Sequence, residues 1–257
     1  MKELFVAVQV EVIKLRRTLA FWMMFLAPLG IVALTVFFNI RLSADVSGAD
    51  KDAWAVMVRD TLGFWVVLML PMFVALESSL MAQLEHSQKM WKHLFSLPSQ
   101  RWTIYLAKLI ITMIIVGIST AVLMAGIVLS GWLLQHFGIR PDFNWISPNP
   151  TWDVAIRTAL LVFILSWCMI ALQTYVSMKW SSFIVSLGIG SIGSMMSFIL
   201  VRSVTLAQVI PWSLPFNALE PYIKQGSSLE LPLLVSLAGT FIFTLFGLWD
   251  LSTKDII

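Results

Sequence analysis

The chain has 257 residues, 59% of them hydrophobic and 12% charged, with a mean hydropathy of +0.87 and a net charge of +3. That is too little polar side chain to cover a water-soluble fold, in which apolar and charged residues run at about 45–50% and 25%. A single cysteine, Cys168, excludes a disulfide scaffold, and the apolar excess excludes disorder.

Residues 1–18 open the chain as an amphipathic helix. Leu4, Phe5, Val8, Val12 and Leu15 make one stripe, and Lys2, Glu3, Gln9, Glu11, Lys14, Arg16 and Arg17 lie mostly on the other side. Such a helix fits flat at a membrane interface, although an ordinary extension of the first span would read the same way. Crossing a hydrocarbon core of about 30 Å takes roughly 20 apolar residues, at about 1.5 Å each. Six runs qualify: 19–40, 62–80, 104–134, 155–176, 183–201 and 231–249. The first lacks an Ala-x-Ala-like cleavage pattern, so it reads as a retained span and not a signal peptide. Residues 41–61 read as a polar, acid-rich outer loop, and Pro71 interrupts the second run. The expected fold is therefore an all-α polytopic membrane protein, one transmembrane domain over residues 1–257.

Two connections are unusual. Residues 84–97, Leu-Glu-His-Ser-Gln-Lys-Met-Trp-Lys-His-Leu-Phe-Ser-Leu, have helical propensity and are stopped by Pro98. Arg101, Trp102, Tyr105 and Lys108 follow, where an aromatic and basic belt belongs. A helix lying across the inner face and joined to two spans would pass motion from a partner into the membrane. A solvated loop with belt residues is the other reading. Residues 202–230 are apolar but short and broken by Pro211, Pro215 and Pro221. They suit a re-entrant outer plug or gate around Pro211, Trp212 and Pro215, or an interfacial hairpin.

Lysine and arginine set the orientation. With the N-terminus inside, Lys2, Lys14, Arg16, Arg17, Lys89, Lys92, Arg101, Lys108, Lys179 and Lys254 share the cytoplasmic side. Most acids then fall outside. Both termini are expected in the cytoplasm, and the sequence pI near 9.1 calls for an anionic leaflet, not a nucleic acid.

The search for chemistry finds little. No Gly-Lys pair exists, so a Walker A loop is absent. His86, His93 and His136 show no metal spacing, and no catalytic or metal residue is assigned. Ser186, Gly190 and Ser194 recur every four residues, as do Gly193 and Ser197. With no histidine inside a span, that pattern reads as small-residue helix packing and not as a serine protease. Glu77, Lys108 and Arg157 read as lying near span ends, which disfavours an ion path through the midplane.

Glu85 … Trp91-Lys92-His93-Leu94-Phe95-Ser96-Leu97-Pro98-Ser99-Gln100-Arg101 … Ile104-Tyr105-Leu106-Ala107-Lys108 resembles the region after the second span in ABC-2 type permeases. Within that family, His86-Ser87 in place of a Gly-Thr is most similar to the permeases of lantibiotic-immunity and bacitracin-resistance exporters. The resemblance implies a permease subunit moving a hydrophobic or amphipathic substrate: an antimicrobial peptide, a drug or a lipid-linked compound. It implies two copies of a separate ATPase holding ATP and Mg, with no cofactor in this chain, and a second permease, identical or sibling. By position, Glu85, Lys89, Trp91, Lys92, Leu97, Pro98 and Arg101 would couple to the ATPase, and residues 1–18 would be the connecting helix. A channel or secondary transporter would instead need midplane charges or repeat symmetry, and an intramembrane enzyme a clustered polar site.

Overall fold

The computed structural model describes residues 2–16, 18–42, 53–87, 101–139, 152–223 and 228–253. Every regular element among them is helical. They are α1 (Lys2–Leu15), α2 (Leu19–Leu42), α3 (Ala53–Phe64), a π-turn (Trp65–Met69), α4 (Leu70–Ser87) and α5 (Arg101–His136). Then come α6 (Trp152–Leu165), α7 (Trp167–Lys179), α8 (Phe183–Leu200), α9 (Val204–Ala207), a 3₁₀ segment (Leu214–Leu219), α10 (Glu220–Ile223) and α11 (Glu230–Thr253). Among the described residues, six stretches are long and apolar enough to cross a membrane: Leu19–Arg41, Ala53–Leu84, Trp102–His136, Trp152–Lys179, Phe183–Leu200 and Glu230–Leu251. This is an all-α, multi-pass membrane protein.

Two expectations at the second span need correction. Residues 53–61 are not loop: α3 starts at Ala53 and runs through the π-turn into α4. Asp60 and Arg59 hid the helix by composition, but they pair with each other at 2.8 Å, while Trp54, Met57, Val58, Thr61 and Leu62 supply a buried stripe. Pro71 does not end the helix either. Proline has no N–H and crowds the preceding turn; here the turn before it is widened, and Leu70 N–H reaches back to Trp65 O. At the far end, Leu84–Ser87 continue α4 without a break. The rest of the expected coupling helix lies outside the described residues.

Helix ends follow local chemistry. α5 stops where Gly138 takes φ +67°, a conformation that glycine adopts without steric cost. Gly138 N–H donates to Gln135 O and Ile139 N–H to Leu134 O, both at 3.0 Å, closing a Schellman cap. The fourth span is split into α6 and α7 at Ser166, whose hydroxyl donates to Phe163 O at 2.6 Å.

Within lipid, helices associate through close packing and interhelical hydrogen bonds. α2 and α1 pack on α5, α4 on α8, α11 on α7, and α6 on the 3₁₀ segment. Ser119 Oγ donates to Met24 O at 3.0 Å, Thr61 Oγ1 to Thr35 Oγ1 at 3.1 Å, and Ser236 Oγ to Ile164 O at 2.9 Å. Between α8 and α11 the described helices are short, and all of the 3₁₀ segment Leu214–Leu219 is buried in protein. Asn217 Nδ2 donates to Ala207 O at 2.8 Å and Ser213 Oγ to Ile210 O at 3.0 Å, tying the short pieces together. Polar groups buried inside protein need such partners.

Candidate functional site: a buried ion pair joining α1, α4 and α5

α1 does not present the stripe that its sequence suggests. Val8, Val12 and Leu15 do pack inward, but Phe5 is 64% exposed, together with Val6, Val10 and Ile13. Glu11, expected on the polar side, is buried instead. It occupies the same face as Val8, Val12 and Leu15, because steps of three and four residues stay on one side of a helix.

The partner of Glu11 is Lys108, one of the buried residues near the start of α5. Lys108 Nζ lies 3.1 Å from Glu11 Oε2 and donates to Met81 O of α4 at 3.3 Å. Lys14 Nζ donates to Glu11 Oε1 at 2.8 Å. One ammonium thus binds three elements: α1, α4 and its own helix. Burial alone would raise the Glu11 pKa, but the charge of Lys108, and then of Lys14, holds it below the usual glutamate range.

Glu77, four residues before Met81, is a second acidic group inside the protein. α4 continues past it to Ser87, and the carboxyl is fully buried. Neither of its oxygens finds a hydrogen-bond partner among the described residues. Gln173 Oε1 on α7 is similarly buried without a partner. An unmatched buried polar group costs about 1–3 kcal/mol. Glu77→Leu is therefore expected to raise the thermal stability of the purified protein, with Glu77→Gln between the two. A lower melting temperature for the leucine variant would show that the carboxyl is matched after all.

The packing residues lie together on α8. Ser186 Oγ hydrogen-bonds Ser79 Oγ at 2.8 Å, and Gln173 Nε2 donates to Ser186 O at 2.8 Å. Gly190 faces Ala75 of α4, Gly193 lies under the Trp212 ring, and Ser194 Oγ points to Leu68 O. Trp212 and Pro211 are half-buried, Pro215 is buried, and Ser197 Oγ donates to Trp212 O at 3.0 Å. The expected gate and the small-residue face therefore touch. Of the expected coupling residues, Glu85 lies in the backbone of α4 and Arg101 begins α5. Lys89, Trp91, Lys92, Leu97 and Pro98 lie outside the described residues.

A family model described as ABC-2 family transporter protein matches residues 7–197. The chain belongs to that family. As an ABC-2 transporter protein it is a membrane subunit of a transporter, and the matched region holds Glu11, Glu77 and Lys108 together. No curated protein and no solved structure matches the chain.

Sequence reasoning missed Glu11 and Glu77 as interior groups. The signal for Glu11 was its spacing, three residues after Val8 and four before Leu15. For Glu77 it was the helix-forming run Leu76–Leu84, too polar to count as apolar but able to extend the span.

Proposed function

We propose that this chain is the permease subunit of an ATP-binding cassette exporter. It sits in the cytoplasmic membrane with both termini inside, and works with two ATPase subunits that hold ATP and Mg and with a second permease, identical or sibling. The substrate is a hydrophobic or amphipathic molecule: an antimicrobial peptide, a drug or a lipid-linked compound. The observation that carries this reading is the Lys108 junction. Residues 88–100 join the end of α4 to the start of α5, and Lys108 ties both helices to α1 through Met81 O and Glu11. A push on that segment reaches the interfacial helix and two spans together. No ATP-binding loop is needed in a chain whose part is to receive that push.

The test starts from tagged chain solubilised from its native membrane. It should bring down a subunit that hydrolyses ATP, and Trp91→Ala or Glu85→Ala should weaken that capture while leaving membrane insertion intact. Capture unchanged by both substitutions would refute the coupling assignment. Recovery of the wild-type chain with no ATP-hydrolysing subunit would refute the exporter reading itself.

A further inference from the structure

A lateral cavity of about 600 Å³ lies between α3 and α8, close to α10. Its volume is that of a small-molecule site. Phe64, Leu68 and Phe198 form apolar walls, while Arg59 and Asp60 stand at its charged edge. A Cβ added at Gly63, also on the wall, meets nothing within 4 Å, so space is open there. Beside the cavity runs the π-turn, a feature frequent at functional sites.

The depth of the charged edge follows from length. The span Ala53–Leu84 has 32 residues, and at about 1.5 Å per residue it exceeds a hydrocarbon core of about 30 Å by a few turns. If the excess is shared between the ends, Arg59 and Asp60 fall where hydrocarbon meets headgroups. The apolar walls run inward from there.

The charges select the occupant. Arg59 Nη2 and Asp60 Oδ1 are 2.8 Å apart, with side chains 44% and 38% exposed. Such an exposed pair is weakly held, so either member can turn to a new partner. A guanidinium matches a phosphate in fork geometry, and a carboxylate matches an ammonium. A molecule with both groups satisfies the edge; an anionic headgroup meets Asp60, and a purely cationic one meets Arg59. We propose that this cavity docks a zwitterionic, phospholipid-like amphiphile, with its phosphate on Arg59, its ammonium on Asp60 and a chain along Phe64, Leu68 and Phe198. This assignment goes beyond the permease reading and does not depend on ATP coupling.

The experiment uses full-length chain in uncharged maltoside micelles. Trace photoactivatable phosphatidylethanolamine or phosphatidylglycerol is added, and cross-links are mapped by peptide mass. The ethanolamine probe should label residues 59–68 and Phe198 about tenfold more than the glycerol probe, as expected where a like charge opposes binding. Gly63→Leu should cut that labelling by about fivefold or more by filling the space. Gly188→Leu, where an added Cβ also meets nothing, should leave it unchanged and so control for folding. Asp60→Asn should admit the glycerol probe, and Arg59→Gln should weaken the ethanolamine probe. Equal labelling by both probes, labelling spread along α11, or labelling indifferent to Gly63→Leu would each overturn the site. So would efficient chain-to-chain cross-linking through Phe198 without lipid labelling, which would assign the cavity to a second copy.

Discussion

Glu11→Ala should be the most damaging single change in the described part of the molecule. It strips the Lys108 ammonium of its carboxylate in a site almost closed to solvent, and breaking a buried pair from one side costs about 3–5 kcal/mol. α1 should come away from α5, seen as faster amide exchange over residues 2–16 and a lower melting temperature. The paired change Glu11→Leu with Lys108→Met should recover most of the stability, because a buried pair replaced by well-packed apolar groups is often neutral. Acid should act in the same way as the alanine. The depressed Glu11 pKa means that the contact is complete above the ordinary glutamate range, near pH 4.3, and is lost only as pH falls through the lower folded value. If Glu11→Ala melts like Glu3→Ala, whose site is exposed, the junction holds nothing together.

Gly190→Leu should be the most damaging change within the small-residue face of α8. A Cβ at this position already collides with the Ala75 methyl and comes within 3.0 Å of Gln173 Nε2. The Ala75 methyl is fixed directly to the α4 backbone, so only a shift of one helix against the other relieves the overlap. That shift also strains the Ser79–Ser186 hydrogen bond. Overpacking of this kind costs typically about 1–3 kcal/mol. Val185→Leu, on a side chain 40% exposed, should change little. Equal thermal melts for the two variants would mean that α8 does not rely on this face.

Spans were legible because burial in lipid demands long apolar runs, and 104–134 or 183–201 announce themselves by composition alone. Their ends were less legible, since a helix that projects from the bilayer or packs against protein can carry Arg59, Asp60 or Glu77 without breaking. The small-residue face was readable as a period of four, but which neighbour it meets was not. Ala75 and Trp212 come from segments on either side in sequence, and only tertiary packing brings them to Gly190 and Gly193. The ion pair was hidden for a different reason. Lys108 and Glu11 are far apart in sequence, and each alone resembles a residue at a membrane boundary. Their meeting depends on α1 lying against α5, which no local pattern dictates.

The π-turn has a consequence for how the second span keeps its phase. Its buried positions advance regularly through Trp54, Val58, Thr61 and Trp65, and an unbroken α-helix would carry them on to Leu68 and Met72. Those two are exposed, at 39% and 41%, and burial resumes at Leu70 and then at Phe73 and Val74. One extra residue in the turn therefore acts as a rotary offset of roughly 100°, letting two apolar patterns that are out of step share a single rod. Deleting one residue from 65–69 would leave composition and length almost untouched, yet it would turn the Ala53–Phe64 half about its own axis. Trp54 would leave the notch at Gly131 and Thr61 would leave Thr35. In this span, a one-residue deletion is a rotation rather than a shortening.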